Sequence, residues 1–243
     1  MLKIKTVLKT APATQDEEYD RRKRGMKELG TALRSYKSAM AKAKASVKRV
    51  VESLGEVCKV FDTLSNDPNI PNCTKDCTLA LAASMDRIEG ALLSGFNAAM
   101  DSTVLSAVDE LKAMYDECAK LEAERNKVMH KYDAYREDIN KKESVYQRKS
   151  KDALASKSYC AEVAKRDELA MCFEAADQKF KDTHDKLTQV RATACTKALN
   201  AFMKCTSNFM EEISSEFNGL KSSSESAIQV LSLGMHAEYE NDN

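Results

Sequence analysis

Six basic residues crowd a stretch of seventeen positions in the second half of the chain, and only Glu143 and Asp152 interrupt them with acidic side chains. Clustered ammonium and guanidinium groups raise the local potential and attract anions. The cluster therefore predicts a binding site for an anionic surface. A basic helix end that only contacts water is the alternative interpretation. The six residues are Lys141, Lys142, Arg148, Lys149, Lys151 and Lys157.

The first nine residues carry a second pattern, in which apolar and basic side chains share a short helical arc. Ile4, Val7 and Leu8 fall on one side of a helix, with Lys5 and Lys9 beside them. This arrangement is typical of a helix that lies in a membrane surface with its apolar side chains inserted. A basic tail without regular structure fits so short a segment equally well.

Sequence motifs for catalysis are missing. The chain has no Gly-rich phosphate loop and no paired-histidine motif, so we expect no enzymatic activity and no cofactor. The eight cysteines are dispersed and mostly lie in or beside apolar stripes, which favours reduced thiols over disulfides. Cys73 and Cys77 have no histidine near them in sequence, so we expect no metal site. No apolar run approaches the ~20 residues of a membrane span, and we expect a cytoplasmic protein.

The formal net charge is zero, but the charge is unevenly distributed. Residues 1–49 contain fourteen Lys or Arg and five Asp or Glu, whereas residues 206–243 contain one Lys and seven acidic residues. Association depends on the local potential within about 10 Å at 0.1 M salt. A neutral total therefore does not exclude an anionic partner.

An apolar stripe between Met26 and Leu64 repeats about every 3.5 residues, which is the repeat of a coiled-coil seam. A second stripe, over residues 111–146, is interrupted at two heptad positions by the charged side chains of Arg125 and Lys142. Helices with such stripes must pack against one another or against a second chain. We therefore predict a homodimer with helix 1 in its interface.

Neither Gly nor Pro occurs between Asn97 and Asn218, and a sheet protein would need turns in such a span. We therefore predict an all-α fold with three long helices. Pro68 and Pro71 mark the first turn, whereas only the polarity of residues 148–158 marks the second. Residues 1–12 form a basic N-terminal segment and residues 236–243 a tail. The predicted helices span about residues 14–64, 74–148 and 157–233.

Four short motifs resemble BAR domains of the amphiphysin and endophilin kind, and together they extend over nearly the whole chain. The segments 33–40 and 52–57 resemble parts of their first helix. Tyr132-Asp133-Ala134-Tyr135-Arg136 resembles the middle of their second helix, and Leu199-Asn200-Ala201-Phe202 part of their third. Each motif alone is weakly specific, but their order and separation are more telling. Between Tyr132 and Phe202 this chain is several residues longer than its amphiphysin-like relatives.

The resemblance implies an elongated antiparallel three-helix coiled coil that dimerises into a crescent. Its concave face and tips would bind phosphatidylserine or phosphoinositides, in endocytosis or membrane trafficking, and would sense or generate curvature. No nucleic acid is expected. The expected dimer contacts are Leu29, Leu33, Tyr36 and Met40, and the residues that align with basic concave positions are Arg125, Lys127, Lys131 and Arg136.

Two other functions remain open at this point. An arfaptin-like module with the same kind of fold would bind a small GTPase, in a complex that depends on the nucleotide. A spectrin-like cytoskeletal coiled coil would form a straight rod without affinity for lipid. Intrahelical pairing with neighbouring acids is the alternative role for Arg125 and Arg136.

Overall fold

The computed structural model describes the backbone of residues 16–241 and the side chains of residues 16–233. The regular elements in this part of the chain are all helical, and it contains no β-strand. The prediction of an all-α fold with three long helices is confirmed. The α-helices are α1 (Glu17–Ser65), α2 (Asn72–Arg87), α3 (Leu93–Ala99), α4 (Asp109–Arg148) and α5 (Lys157–Asn241).

One helical segment runs from the start of α2 to the end of α4 without a non-helical residue. It is locally rewound, because Ile88–Leu92 and Met100–Leu105 are π-helical and Ser106–Val108 is a turn of 3₁₀-helix. A π-helical turn changes the number of residues per turn and so shifts the face on which later side chains lie. The apolar periodicity predicted a single helix here and contained no signal for the rewinding.

The end of α4 at Arg148 and the start of α5 at Lys157 are the predicted ones, whereas other helix ends differ. The α1 helix begins at Glu17 because the Asp16 carboxylate caps it and accepts a hydrogen bond from the Tyr19 backbone N at 2.9 Å. The α2 helix begins directly after Pro71, whose carbonyl accepts a hydrogen bond from the Thr74 N at 3.0 Å. The α5 helix continues to residue 241, into the segment predicted to be a tail. The predicted start near residue 14 lies outside the described residues.

The first of two core clusters is built by residues 16–33 and 109–194. Side chains of α1, α4 and α5 meet there, and the rings of Tyr19 and Phe180 lie edge to face with their centroids 5.9 Å apart. Burying each large apolar side chain contributes about 1.5–3 kcal/mol. The buried members are Tyr19, Met26, Leu29, Leu111, Cys118, Leu121, Phe180, Leu187 and Ala194.

The second core cluster is built by residues 34–108 and 195–233. The rings of Phe96 and Phe209 lie 4.7 Å apart, and the Tyr36 hydroxyl donates a hydrogen bond to the Val104 carbonyl at 2.7 Å. An ion pair between Arg87 and Glu216 links α2 to α5 at 2.6 Å. The buried members are Val51, Cys58, Met85, Ile88, Leu93, Phe96, Met100, Val104, Cys205 and Phe209.

All eight cysteines are unpaired in this structure. Cys118 is fully buried in the first core cluster, and burial raises the pKa of its thiol to about 11. A thiol with so high a pKa stays protonated and packs as a small apolar group.

Candidate functional site

The α4 helix ends in a Schellman motif that stops it without glycine. Ser150 adopts a left-handed conformation with φ 48°, its N donates to the Gln147 carbonyl at 3.1 Å, and the Lys151 N donates to the Tyr146 carbonyl at 3.0 Å. This turn leaves Lys149 and Lys151 on an exposed connection between two helices. We call residues 148–157, from the end of α4 to the start of α5, the tip.

Local hydrogen bonds hold the remainder of the tip. The Asp152 carboxylate accepts from the Leu154 N at 2.9 Å and caps a single 3₁₀ turn, Ala153–Ala155. The Ser156 hydroxyl accepts from the Tyr159 N at 3.4 Å, at the start of α5. The backbone that carries the basic residues is therefore fixed by its own sequence.

Two aromatic side chains, one on each side of the tip in sequence, pack against each other. The rings of Tyr146 and Tyr159 meet edge to face with centroids 5.8 Å apart, and the Tyr159 side chain is buried. The Tyr159 hydroxyl donates to the Glu143 carboxylate at 2.6 Å, and this hydrogen bond raises the pKa of Tyr159. The negative charge of Glu143 thus has a partner inside the protein.

The six predicted cations of this region divide into two groups. Lys141 lies 3.1 Å from Glu137, and Lys142 contacts both Asp138 and Glu162. Burial would lower the pKa of Lys142, but hydrogen bonds to Glu162 and Asp138 outweigh it and raise the pKa. The other four cations are exposed, and no described carboxylate lies within 4 Å of them: Arg148, Lys149, Lys151 and Lys157.

Arg125 does not lie on a basic surface. Its side chain is 0% exposed, its Nε donates to Asp177 at 2.5 Å, and its Nη2 donates to Asp16 at 2.8 Å. The guanidinium carbon sits 3.8 Å from the centroid of the Tyr19 ring and 5.0 Å from that of Phe173. This placement contradicts the expectation that Arg125 contacts lipid, because a fully buried guanidinium cannot reach a headgroup.

The surroundings of Asp177 favour the ionised form of its carboxylate. Partial burial would raise the pKa of Asp177, but hydrogen bonds from Lys181 and Arg125 outweigh burial and hold the pKa below its ordinary value. The cluster joins α1, α4 and α5. Its role is structural, because the Arg125 guanidinium is fully buried and paired with Asp16 and Asp177.

The other three predicted concave-face cations have different surroundings. Lys127 and Lys131 are exposed and have no described carboxylate within 4 Å. Arg136 is partly buried and pairs with Asp133, one turn earlier on α4, at 3.1 Å. Lys127 and Lys131 are therefore available to an outside anion, whereas Arg136 has a partner within its helix.

The four side chains predicted at a dimer interface pack within their own chain. Leu29 is buried in the first core cluster, with Leu33 packed against it, and Tyr36 and Met40 pack against the second. Each chain thus already covers much of these side chains, so they do not form an exposed apolar face.

The C-terminal part of the same α1 stripe is exposed instead. Val50, Val57, Phe61 and Leu64 follow one another at seven, four and three residues, the spacing of one coiled-coil seam. All four are at least about half exposed, for example Phe61 at 49%. The sequence pattern contained these positions. It could not show that no other part of the described chain covers them.

Ile4, Val7 and Leu8 lie outside the described residues. Among the helices that are described, none has both the length and the apolar character that crossing a membrane requires. Within residues 16–233, no group of three or more His, Cys, Asp or Glu side chains is placed to hold a metal ion.

Comparison with solved structures identifies the fold. The amphiphysin BAR domain from Drosophila superimposes with a TM-score of 0.61 at 16% sequence identity, over 88% of this chain and 90% of that one. A BAR protein from Galdieria sulphuraria superimposes with a TM-score of 0.52 at 14% identity, over 90% of this chain and 99% of that one. The chain therefore has the fold of a BAR domain, as the sequence motifs indicated.

No protein-family model matches the sequence, and no curated protein matches it either.

Proposed function

We propose that this chain is a dimeric scaffold that binds anionic lipid surfaces through its tip. The observation that carries the proposal is the set of four exposed cations without a described carboxylate partner: Arg148, Lys149, Lys151 and Lys157. Each basic side chain near an anionic leaflet contributes about 1 kcal/mol. One tip would then bind with a Kd on the order of 1 mM, which is too weak to act alone.

Dimerisation would turn this weak attraction into useful affinity, because a dimer carries two tips that can bind the same surface together. The exposed seam of Val50, Val57, Phe61 and Leu64 supports a dimer, since a run of large apolar side chains in water is unfavourable. The proposed interface therefore lies further along α1 than the sequence predicted. A second copy is the proposed partner, as the BAR-like motifs imply.

The dimer proposal makes its own prediction. Replacing Val57 and Phe61 together with Asp should give a folded monomer, because both side chains are about half exposed in the single chain. Analytical ultracentrifugation at micromolar concentration should show the mass of a dimer for the parent and of a monomer for the variant. Met171→Asp is the matched control, since Met171 is an exposed apolar residue of α5 outside the seam. A well-folded monomer for the parent protein would contradict the proposal.

Lipid binding is tested directly by sedimentation with vesicles. The protein should sediment with phosphatidylserine-containing vesicles and stay in solution with phosphatidylcholine vesicles, and raised salt should weaken the binding because it screens exposed charges. Binding to neither kind of vesicle would contradict the proposal and favour a cytoskeletal rod. A complex with a small GTPase that required bound GTP would instead support the arfaptin-like function.

The proposal extends to curvature and location. A basic scaffold can adhere to a curved anionic surface, and Ile4, Val7 and Leu8 would expand one leaflet by inserting into it. The protein would act in the cytoplasm as a peripheral membrane protein, in endocytosis or membrane trafficking. Lys127 and Lys131 are proposed as secondary lipid contacts on α4.

A further inference from the structure

A cleft lies between the last two turns of α4, the tip and the first turn of α5. Its volume is ≈ 450 Å³, which is within the range of small-molecule sites. Four lysines line it: Lys141, Lys142, Lys149 and Lys151. Diffuse attraction to a membrane requires no cleft, whereas a headgroup held in this cleft would make a more specific interaction than the proposed function alone.

The four lysines are not equivalent. Lys142 already contacts Asp138 and Glu162, so it contributes to the wall of the cleft more than to its net charge. Lys149 and Lys151 flank the left-handed residue of the Schellman turn and have no described carboxylate within 4 Å. The exposed Lys141 pairs only within its own helix, in a contact that solvent screens. The ammonium groups of Lys141, Lys149 and Lys151 can therefore donate hydrogen bonds to phosphate oxygens.

Apolar and aromatic side chains form the remainder of the lining. Val145, Tyr146 and Tyr159 line the cleft, and the Tyr159 side chain is held in place by its hydrogen bond to Glu143. An apolar wall beside several cations fits a ring that has C–H groups on its faces and phosphates at its edge. A phosphorylated cyclitol such as an inositol phosphate has this chemistry, whereas the serine headgroup has neither the ring nor the additional charge.

An exposed leucine distinguishes a lipid from a soluble phosphate. Leu154 follows Lys151 by three residues in the tip and is 74% exposed, although the Asp152 cap holds its backbone in place. Transfer of this large apolar side chain from water into an apolar phase would be favourable. The hydrocarbon beneath a lipid headgroup provides that phase, and a free inositol phosphate does not.

From these contacts we propose that the cleft binds the phosphorylated inositol headgroup of a membrane lipid while Leu154 enters the bilayer beside it. The inference rests on the proposed function, because it assigns a lipid class and an insertion residue to the same tip. Charge on Lys141, Lys149 and Lys151 selects headgroups with two or more phosphates. Leu154 adds an apolar contact that does not depend on salt.

The test compares vesicles of equal formal charge, one set containing phosphatidylserine and the other phosphatidylinositol bisphosphate, each in phosphatidylcholine. The parent protein should bind the inositol-lipid vesicles at least tenfold more tightly. Lys149→Ala with Lys151→Ala should abolish that preference. Lys127→Ala with Lys131→Ala removes the same charge from exposed positions of α4 that do not line the cleft, and should retain the preference.

Leu154→Asn separates the two parts of the proposal. This variant should bind inositol-lipid vesicles several-fold more weakly than the parent, yet should bind soluble inositol trisphosphate equally well in calorimetry. If Leu154→Asn bound the vesicles as tightly as the parent, insertion of Leu154 would be wrong.

Other outcomes overturn the headgroup site or the proposed function separately. Equal binding to both vesicle sets at matched charge, or equal loss of preference in both double variants, would overturn the headgroup site and leave general binding to anionic lipid intact. Binding of the parent to no anionic vesicle at all would overturn the proposed function itself.

Discussion

Replacing Arg125 with alanine is expected to lower the free energy of unfolding by about 3 kcal/mol, the lower end of the range for breaking a buried ion pair. The fully buried guanidinium is held by Asp16 and Asp177, and its removal leaves both carboxylates without their main cation. Asp177 keeps Lys181 at 2.8 Å, which is why the lower end applies. The loss should appear as a lower urea midpoint in circular dichroism at one fixed protein concentration.

Lys112→Ala is the matched control on the same helix. The Lys112 Nζ also lies 2.5 Å from a carboxylate, that of Asp116, but both side chains of this pair are exposed. Exposed pairs contribute little, so the control should change the free energy of unfolding by no more than about 0.5 kcal/mol. Equal losses in the two variants would contradict the assignment of Arg125 as a buried link between three helices.

Acid gives a second measure of the same cluster. Because the pKa of Asp177 is lowered in the folded protein, its ionised form contributes stability above the unfolded pKa of about 3.9, and this contribution is lost as the pH falls through the folded value. The parent should therefore lose stability as the pH falls below about 4. Arg125→Ala should show a shallower loss over the same interval, since part of the pairing is already gone.

Periodicity predicted the helices well because burial of an apolar stripe is what makes a long helix stable. The second turn was harder to predict, since Ser150 is one of the uncommon residues other than glycine that adopt positive φ. Only the loss of apolar side chains after Tyr146 marked it. The π-helical turns in residues 88–105 had no sequence signal, because a single shift of register leaves the average spacing almost unchanged.

The predicted dimer contacts show what a heptad pattern cannot determine. It predicts that a side chain is covered, but not whether its own chain or a second copy covers it. Leu29 and Met40 pack within their own chain, whereas Val57 and Phe61, on the same predicted stripe, are left exposed. Only the positions of the other two helices distinguish these cases, and those positions depend on contacts between residues distant in sequence.

Charged residues that interrupt an apolar stripe could have been interpreted from the sequence as partners in ion pairs between helices. Arg125 and Lys142 occupy the heptad positions that interrupt the second stripe, and both make ion pairs with residues of α5, Asp177 and Glu162. A cation at a heptad position of a stripe points toward a neighbouring helix. An ion pair between helices is therefore a better prediction for it than lipid contact. Cations outside the seam, such as Lys149, are the exposed ones.

Reversing the charge of Arg148, Lys149 and Lys151 to Glu should weaken binding to anionic vesicles more than 100-fold. Losing three basic contacts removes about 3 kcal/mol from each tip, which corresponds to a factor of more than 100, and the new carboxylates add repulsion. Because the three side chains are exposed and the turn between them is held by backbone hydrogen bonds, the helical content should stay unchanged. Vesicle sedimentation and far-ultraviolet circular dichroism measure the two quantities.

The control must separate the tip from net charge, because the same substitutions change the charge of the whole chain by six units wherever they are made. Lys179, Lys186 and Arg191 provide a matched set on α5, with two lysines and one arginine that are exposed and have no described carboxylate within 4 Å. Reversing these three should weaken binding far less, since a charge more than about 10 Å from the lipid is largely screened at 0.1 M salt. If both triple variants lost binding equally, the affinity would come from total charge, and the tip would have no special part in it. If the tip variant bound as well as the parent, the membrane contact would lie on another surface of the protein.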